Sequence, residues 1–288
     1  MKRLLITGTG ERSFVGRNLS EALRDKYDLY TTTSKDLDLT DYNAVSRYFD
    51  SHTIDIIIHA CSSTVNTLDS DLKMFFNLER YSVNIEKLIY FGSGAEFDKR
   101  FNIINASEND IGMRIPPDGY GFAKYIMNAY ARRSGNIYNL RLFGIFGKYE
   151  DWTYKFISNL CCKAIFDLPL TIRRECRFDY IFINDMPNVV EWLIENNPDH
   201  HDYNFAFGTS ILLSALAKMV REISGKPLEI VMLNPNGYNN EYTACNKRLR
   251  KQLPWFEPTP LYEAIEHLYK WYYDNKEKVN IDVLRQTK

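Results

Sequence analysis

The amino-terminal stretch through Lys26 constrains the fold more than any other part of the chain. Lys2 to Thr7 is a short apolar strand that runs straight into Gly8-Thr9-Gly10-Glu11-Arg12-Ser13-Phe14-Val15-Gly16, and a helical pattern follows from Arg17 to Lys26. A strand, a glycine-rich turn and a helix together make a place where backbone N–H groups can meet a pyrophosphate. The glycines fall at 8, 10 and 16, which is not a clean GxGxxG, so the turn is longer or Ser13 fills one loop position. From this loop alone, a glycine-rich surface turn without a ligand reads equally well.

The alternation continues. Tyr27 to Thr33 reads as a second strand, closed by Thr33-Ser34-Lys35. An acidic residue closing such a strand suits the ribose of NAD, whereas hydroxyl or basic groups suit the 2′-phosphate of NADP, and Arg12 adds charge nearby. Asp36 and Asp38 are the counterargument, but they fall beyond the strand end, in a segment where Asp41 can cap the helix through Val45 and Phe49. Ile54 to His59 is a near-continuous apolar run, as a parallel sheet buried on both faces requires, with His59 a packed strand-end residue. A helix from about Asp69 to Arg80 leads to the strand Lys87 to Phe91, which ends in Gly92-Ser93-Gly94. That places a small hydroxyl at the carboxyl edge of the sheet, where ligands of open α/β sheets bind.

A loop to Pro116-Pro117-Asp118-Gly119 opens the helix that carries Tyr120-Gly-Phe-Ala-Lys124. Residues four apart share a helical face, and an ammonium beside a phenol favours the phenolate. This pair can trade protons with a substrate hydroxyl or carbonyl. The strand Asn136 to Leu142 and the turn Phe143 to Gly147 close the alternating half. After Glu150 the rhythm changes. The reading there is a helix from Trp152 to Ile165, strands at Leu170 to Ile172, Phe178 to Ile183 and Leu228 to Leu233, and helices through Trp192, from Leu213 to Ile223 and from Pro260 to Tyr273. No linker separates two independent domains, so the second half is expected to pack over the carboxyl ends of the first sheet and leave a cleft there.

The totals exclude several classes. The 288 residues, 45% of them hydrophobic, suffice for one large domain or two closely joined ones. A net charge of −1 leaves no electrostatic footprint for nucleic acid. The start is too short in apolar residues for a signal peptide, and no run approaches the roughly eighteen residues of a membrane span. A cytoplasmic protein is therefore expected. Five cysteines without CxxC spacing argue against both a disulfide framework and zinc. The scattered histidines give no ligand spacing, so no metal is expected.

In combination, Thr7-Gly8, Ser13-Phe14-Val15-Gly16, Asp38-Leu39-Thr40-Asp41, His59-Ala60, Ser93 and Tyr120-xxx-Lys124 resemble the extended short-chain dehydrogenase/reductase family of nucleotide-sugar enzymes. Arg141 to Gly147, Phe178 to Asp185 and Asn204 to Gly208 extend the match nearly end to end. The resemblance implies an α/β fold: a Rossmann-type doubly wound parallel sheet in residues 1–150 with a return segment at about 176–207. A smaller C-terminal α/β substrate-binding region would comprise 151–175 and 208–288. It implies Tyr120 as general acid/base, Lys124 as the group that favours its phenolate and holds the nicotinamide ribose, and Ser93 as partner of the reacting oxygen. The dinucleotide would touch Thr7, Gly8, Gly10, Arg12, Ser13, Phe14, Val15, Ser34, Lys35, Asp38, Leu39, Ala60, Cys61, Tyr120 and Lys124. The nucleotide-diphosphate sugar would meet Ser93, Phe143, Gly144 and Arg177. Family members often dimerise through a four-helix bundle, here the helices around 69–80 and 120–134.

Departures narrow the choice of member. The acid pair that follows the catalytic hydroxyl in sugar 4,6-dehydratases is Gly94-Ala95 here. Thr33 to Leu39 and Asn43 to Asp55 look most like the GDP-fucose-synthase-like reductases, whose epimerising cysteine and histidine fall at Ala95 and about Tyr149. What survives is an NADPH-dependent C4 ketoreductase of a nucleotide-linked 4-keto-6-deoxy sugar or heptose, for surface polysaccharide synthesis. An NAD-dependent C4 epimerase and a non-enzymatic dinucleotide sensor are the competing readings. The family's diphosphate arginine is Phe178 here, so Arg177 serves only if the strand shifts or bulges. Gly144 stands where many members carry Asn.

Overall fold

The computed structural model describes residues 1–287. In chain order the first half forms β1 (Arg3–Thr7), α1 (Val15–Leu23), β2 (Asp28–Thr32), α2 (Tyr42–Ser51), β3 (Ile56–His59), α3 (Thr67–Glu79), β4 (Lys87–Ser93), β5 (Ile103–Ala106), α4 (Gly119–Ala131), β6 (Ile137–Leu142) and β7 (Ile145–Phe146). The second half forms α5 (Phe156–Ile165), β8 (Leu170–Ile172), β9 (Arg177–Phe178), β10 (Ile181–Phe182), α6 (Met186–Glu195), β11 (Asp202–Phe205), β12 (Ile211–Leu212), α7 (Leu213–Ser224), β13 (Ile230–Met232), β14 (Tyr242–Ala244), α8 (Lys247–Gln252), α9 (Leu261–Asp274) and α10 (Ile281–Gln286).

Six strands pair in the order β11-β6-β4-β3-β1-β2, all parallel. Successive residues of a strand face opposite ways, and here both faces are dry. Leu4, Ile6, Ile56 and Ile58 pack with Leu19 and Leu23 of α1 and Val189 and Leu193 of α6. Leu5, Ile57 and Leu88 pack on the other face with Val45 of α2, Phe75 of α3 and Met127 of α4. Burying each such side chain is worth roughly 1.5–3 kcal/mol, which is why the central strands read as unbroken apolar runs. The chain lays β1 in mid-sheet, places β2 on one side, then crosses back to place β3 and β4 on the other. Connections leaving β1 and β3 therefore diverge and open a crevice at their carboxyl ends, at Thr7 and His59.

Several expected elements differ. The strand anticipated from Phe178 to Ile183 is two short pieces in different sheets: β9 pairs with β12 and β14, whereas β10 pairs with β7. The segment between Ser93 and Tyr120 is not all loop, because β5 pairs in parallel with β14 from the far end of the chain. The helix anticipated from Trp152 begins at Phe156. Asp41 does cap α2, accepting the Asn43 N–H at 2.8 Å. Among the described residues, no helix is long and apolar enough to cross a membrane.

A buried ionic cluster sits beneath the carboxyl end of β4. Arg141, fully buried on β6, donates to Glu96 at 2.7 Å, to Asp202 at 3.0 Å and to Asn204 at 2.9 Å. Glu96 in turn accepts the Ser93 backbone N–H at 3.1 Å. The cluster thus ties the turn after β4 to β6 and β11.

Candidate active site

Ser93 is the last residue of β4 and caps the short 3₁₀ turn Gly94–Glu96, its hydroxyl accepting the Ala95 N–H at 3.1 Å. Helix α4 starts where Asp118 accepts the Gly121 N–H at 2.9 Å. Its first turn presses on the Ser93 turn, and a Cβ at position 121 would collide with the Ala95 carbonyl. Glycine at 121 is what lets Ser93 and Tyr120 converge from different elements. Both line one cavity of about 580 Å³, together with Gly92, Gly144, Glu150, Lys155, Phe178 and Tyr242.

Lys124 lies one turn after Tyr120, its Nζ 5.7 Å from the Tyr120 ring centroid. The ammonium is almost completely buried, 3.7 Å from the equally buried Asp71 of α3. Asp71 is itself held by the Ser62 hydroxyl at 2.5 Å and the Ser63 N–H at 2.7 Å. A buried charge needs such a partner. Close by, His59 is buried, with Nδ1 3.0 Å from the Thr7 hydroxyl and Nε2 unpartnered. Burial, with the Lys124 charge adding to it, holds His59 down at about 3, so it is neutral near neutrality and packs as a strand-end residue.

The crevice between β1 and β3 has room for backbone and little else. Gly8 has φ +72°, and a Cβ there would lie 2.7 Å from the Cys61 Cβ. A Cβ at Gly16 would strike the Gly8 carbonyl, so α1 begins directly over the end of β1. No side chain caps α1, which leaves its first-turn N–H groups free to face an anion. The Ala60 N–H donates to the Thr7 hydroxyl at 3.3 Å, joining the two strand ends. Ser13, Phe14 and Val15 form the half-buried entry to α1. Arg12 is exposed on the long first loop, and Gly10 lies against Thr33, 3.6 Å from where its Cβ would be to Cγ2. These groups fit the pyrophosphate and adenosine half of a dinucleotide.

Beyond β2, Ser34 and Lys35 are exposed. The Asp36 carboxylate is turned back on the Thr33 hydroxyl and N–H at 2.7 and 2.8 Å, and those hydrogen bonds hold it below the usual carboxylate range. Asp38 is turned in the same way onto the Thr40 hydroxyl and N–H. Leu39 is a core side chain whose carbonyl accepts from Asn77.

Two anticipated substrate contacts lie off the cavity. Arg177 is exposed, with Nη1 3.5 Å from the Ser210 hydroxyl, because the two-residue strand β9 turns Phe178 inward and Arg177 out. Phe143 is fully buried and packs behind Tyr242, at 5.0 Å between ring centroids. Gly144 does line the cavity, with φ +40° and no space for a side chain against the Asp179 carbonyl. Ala95 is sealed in the turn. Tyr149, at φ +71°, swings away to donate to Glu21 at 2.8 Å beneath the Arg17 guanidinium.

Reading the sequence missed Lys99, Lys155, Glu150 and Tyr242, all on the cavity wall. Glu150 carried one signal, its place three residues after Gly147, the end of the glycine turn. It is buried, accepts the Ser158 hydroxyl at 2.6 Å, and is pushed by burial up to about 7, against the pull of Lys155. A carboxyl whose folded value is raised contributes stability that is complete below about pH 4.5 and lost as pH rises through about 7. That shift corresponds to about 3 kcal/mol. Glu150→Gln, with no proton to lose, should therefore gain on the wild type by about that amount between pH 4.5 and 8. Urea unfolding at both pH values checks this, and parallel pH profiles for the two proteins would contradict it.

A model of the NAD dependent epimerase/dehydratase family matches residues 5–206. GDP-L-colitose synthase of Yersinia pseudotuberculosis is 20% identical over 307 aligned positions, covering 95% of this chain and 99% of that protein. A GDP-L-fucose synthetase from Naegleria fowleri bound to NADP superposes with a TM-score of 0.83 at 15% identity, covering 96% of both chains. UDP-glucose 4-epimerase from Thermotoga maritima, with UDP-glucose, gives 0.80 at 18% identity, covering 96% of this chain and 99% of that one. At these identities the superpositions establish a common fold.

Proposed function

The chain belongs to the NAD dependent epimerase/dehydratase family, and we propose that it is an NADPH-dependent C4 ketoreductase of a nucleotide-linked 4-keto-6-deoxy sugar or heptose. One observation carries this reading. Ser93 and Tyr120 share a cavity wall while Ala95 is sealed and Tyr149 faces away, so the positions that epimerise or dehydrate in relatives offer no group to the substrate. The likeness to a colitose synthase and to an NADP-bound fucose synthetase supports it.

Thr7, Gly8, Gly10, the start of α1, Ala60 and Cys61 would hold the dinucleotide, with Arg12, Ser34 and Lys35 meeting a 2′-phosphate. The reduced nicotinamide, when bound, supplies a hydride to the carbonyl carbon. Ser93 donates a hydrogen bond to the ketone oxygen, and Tyr120 gives that oxygen its proton as the C–H bond forms. Lys124, anchored by Asp71, keeps positive charge beside the phenolate that remains. Lys99 and Lys155 offer charge for a diphosphate where Arg177 cannot reach. In this reading residues 1–150 with 176–207 carry the dinucleotide, 151–175 with 208–288 close over the sugar, and α3 and α4 form a homodimer bundle in the cytoplasm.

A C4 epimerase would use the same serine, tyrosine and lysine, and the superposition on a UDP-glucose 4-epimerase keeps it as the second reading. Denaturing freshly purified protein and identifying any released dinucleotide by mass spectrometry separates the two. NADP, or a vacant site that binds NADPH reversibly, is expected. Near-stoichiometric NAD would favour the epimerase, whose cofactor is recycled in place.

A further inference from the structure

We propose that Asp71 is a positioning residue that acts through Lys124: its buried carboxylate offsets part of the ammonium's charge, so that Tyr120 holds its proton to higher pH and meets a ketone as a donor. The inference rests on the reading above, in which Tyr120 protonates the reacting oxygen. It adds to that reading a group that lies outside the cavity and sets the direction of the proton transfer.

Asp71 lies on α3, which packs along α4, and almost none of its surface is exposed. The loop leaving β3 grips its carboxylate, with the Ser62 hydroxyl at 2.5 Å on one oxygen and the Ser63 N–H at 2.7 Å on the other. The oxygen that takes the Ser62 proton is also the one 3.7 Å from the Lys124 Nζ. The same Nζ is 5.7 Å from the Tyr120 ring centroid. One ammonium thus serves a carboxylate and a phenol.

An ammonium alone would favour the phenolate. A carboxylate a few ångströms from that ammonium opposes the pull, and in a site this dry it is screened little. The neighbours that titrate are uncharged near neutrality or tied elsewhere. His59 is neutral, and burial raises the Cys61 thiol beside it. Burial also raises the phenols of Tyr154 and Tyr242, the two tyrosines near Tyr120. Asp118 caps α4 and lies 3.9 Å from Lys99, Glu96 is bound to Arg141, and Asp69 pairs with Lys73 on the open face of α3. Glu150, Lys155 and Glu241 stand on the cavity wall. The donor in a ketone reduction must arrive carrying its proton, and that is the state a carboxylate behind the lysine favours.

Asp71→Asn keeps the shape and the acceptor for the Ser63 N–H and removes the charge. The pH above which the reduction rate falls to half should then move down by about one unit, the scale of a unit charge a few ångströms away in a partly dry site. Glu150 and the rest of the cavity wall are common to both proteins, so the difference between the two profiles reports Asp71. A purely structural role would lower kcat at every pH without moving the profile. An unmoved profile, or one moved to higher pH, would overturn the proposal. Asp71→Ser, which removes the same charge, replaces the amide variant if that one fails to fold, and the same shift is expected. A wild type that turns over no nucleotide-linked sugar would instead sink the functional reading. The proposal is then read without substrate, by NMR titration of protein carrying tyrosine isotopically labelled at Cζ, with the Tyr120 resonance assigned by its loss in Tyr120→Phe. Its midpoint should fall by about one pH unit when the Asp71 charge is removed, and a midpoint that stays or rises would overturn the proposal.

Discussion

Replacing Tyr120 by phenylalanine should lower turnover by about a hundred- to ten-thousand-fold, the range over which a positioned general acid acts. The ring stays, so the cavity wall and the start of α4 keep their shape. Lys124 also stays, because its position depends on Asp71 at 3.7 Å and not on the phenol. Dinucleotide affinity should accordingly remain within a few-fold of the wild type, and steady-state turnover beside a binding titration checks both halves. Full turnover by this variant would transfer the proton to another group. The cavity wall carries several others, among them Tyr180, Tyr242, Glu150 and Glu241, so double variants with Tyr→Phe or Glu→Gln at those positions would then identify it.

The second large effect is on stability. Arg141→Met should cost about 3–5 kcal/mol, the usual result of removing one partner from a buried ion pair. Methionine fills much of the volume, but Glu96 is then left fully buried with only the Asn139 amide and the Ser93 N–H for company. Asp202 suffers less, since Arg132 and Arg248 still reach it at 2.7 and 2.6 Å. The loss should therefore fall mainly on the turn that holds Ser93. A denaturant midpoint measures it, and a loss below about 1 kcal/mol, the scale of an exposed pair, would show that the cluster is not the dry network its burial implies.

Much of the first half was legible because its physics is local. Unbroken apolar runs at Leu4 to Ile6 and Ile56 to Ile58 can only be strands covered on both faces. Spacing alone put Tyr120 and Lys124 on one helical face, and the strand ending at Ser93 could be recognised from its apolar run and following glycines. The remainder depended on contacts that no local pattern records. β5 and β14 are four and three residues long and pair across more than a hundred positions, so neither shows a period, and Tyr242 stayed invisible with them. Arg177 was read as a diphosphate contact only if its strand shifts or bulges, and the structure keeps the ordinary parity: in a two-residue strand one side chain faces in, and the stack of Phe178 on Tyr180 and Tyr242 claims that side. Leu39 and Phe143 were read from motif position, whereas burial assigns both to the core. Glu150 reaches the cavity wall directly after Tyr149, whose left-handed backbone conformation composition does not announce in a tyrosine.

The central claim is hydride delivery to a sugar ketone, and the most direct measurement follows the hydride itself. The protein is incubated with NADPH deuterated at its transferable position and a panel of nucleotide-linked 4-keto-6-deoxy sugars and heptoses, and the products are examined by NMR. The account predicts one deuterium at C4 of the product, with consumption of NADPH in equal amount. Products without deuterium at C4, formed while a tightly held NAD is neither consumed nor released, would contradict it.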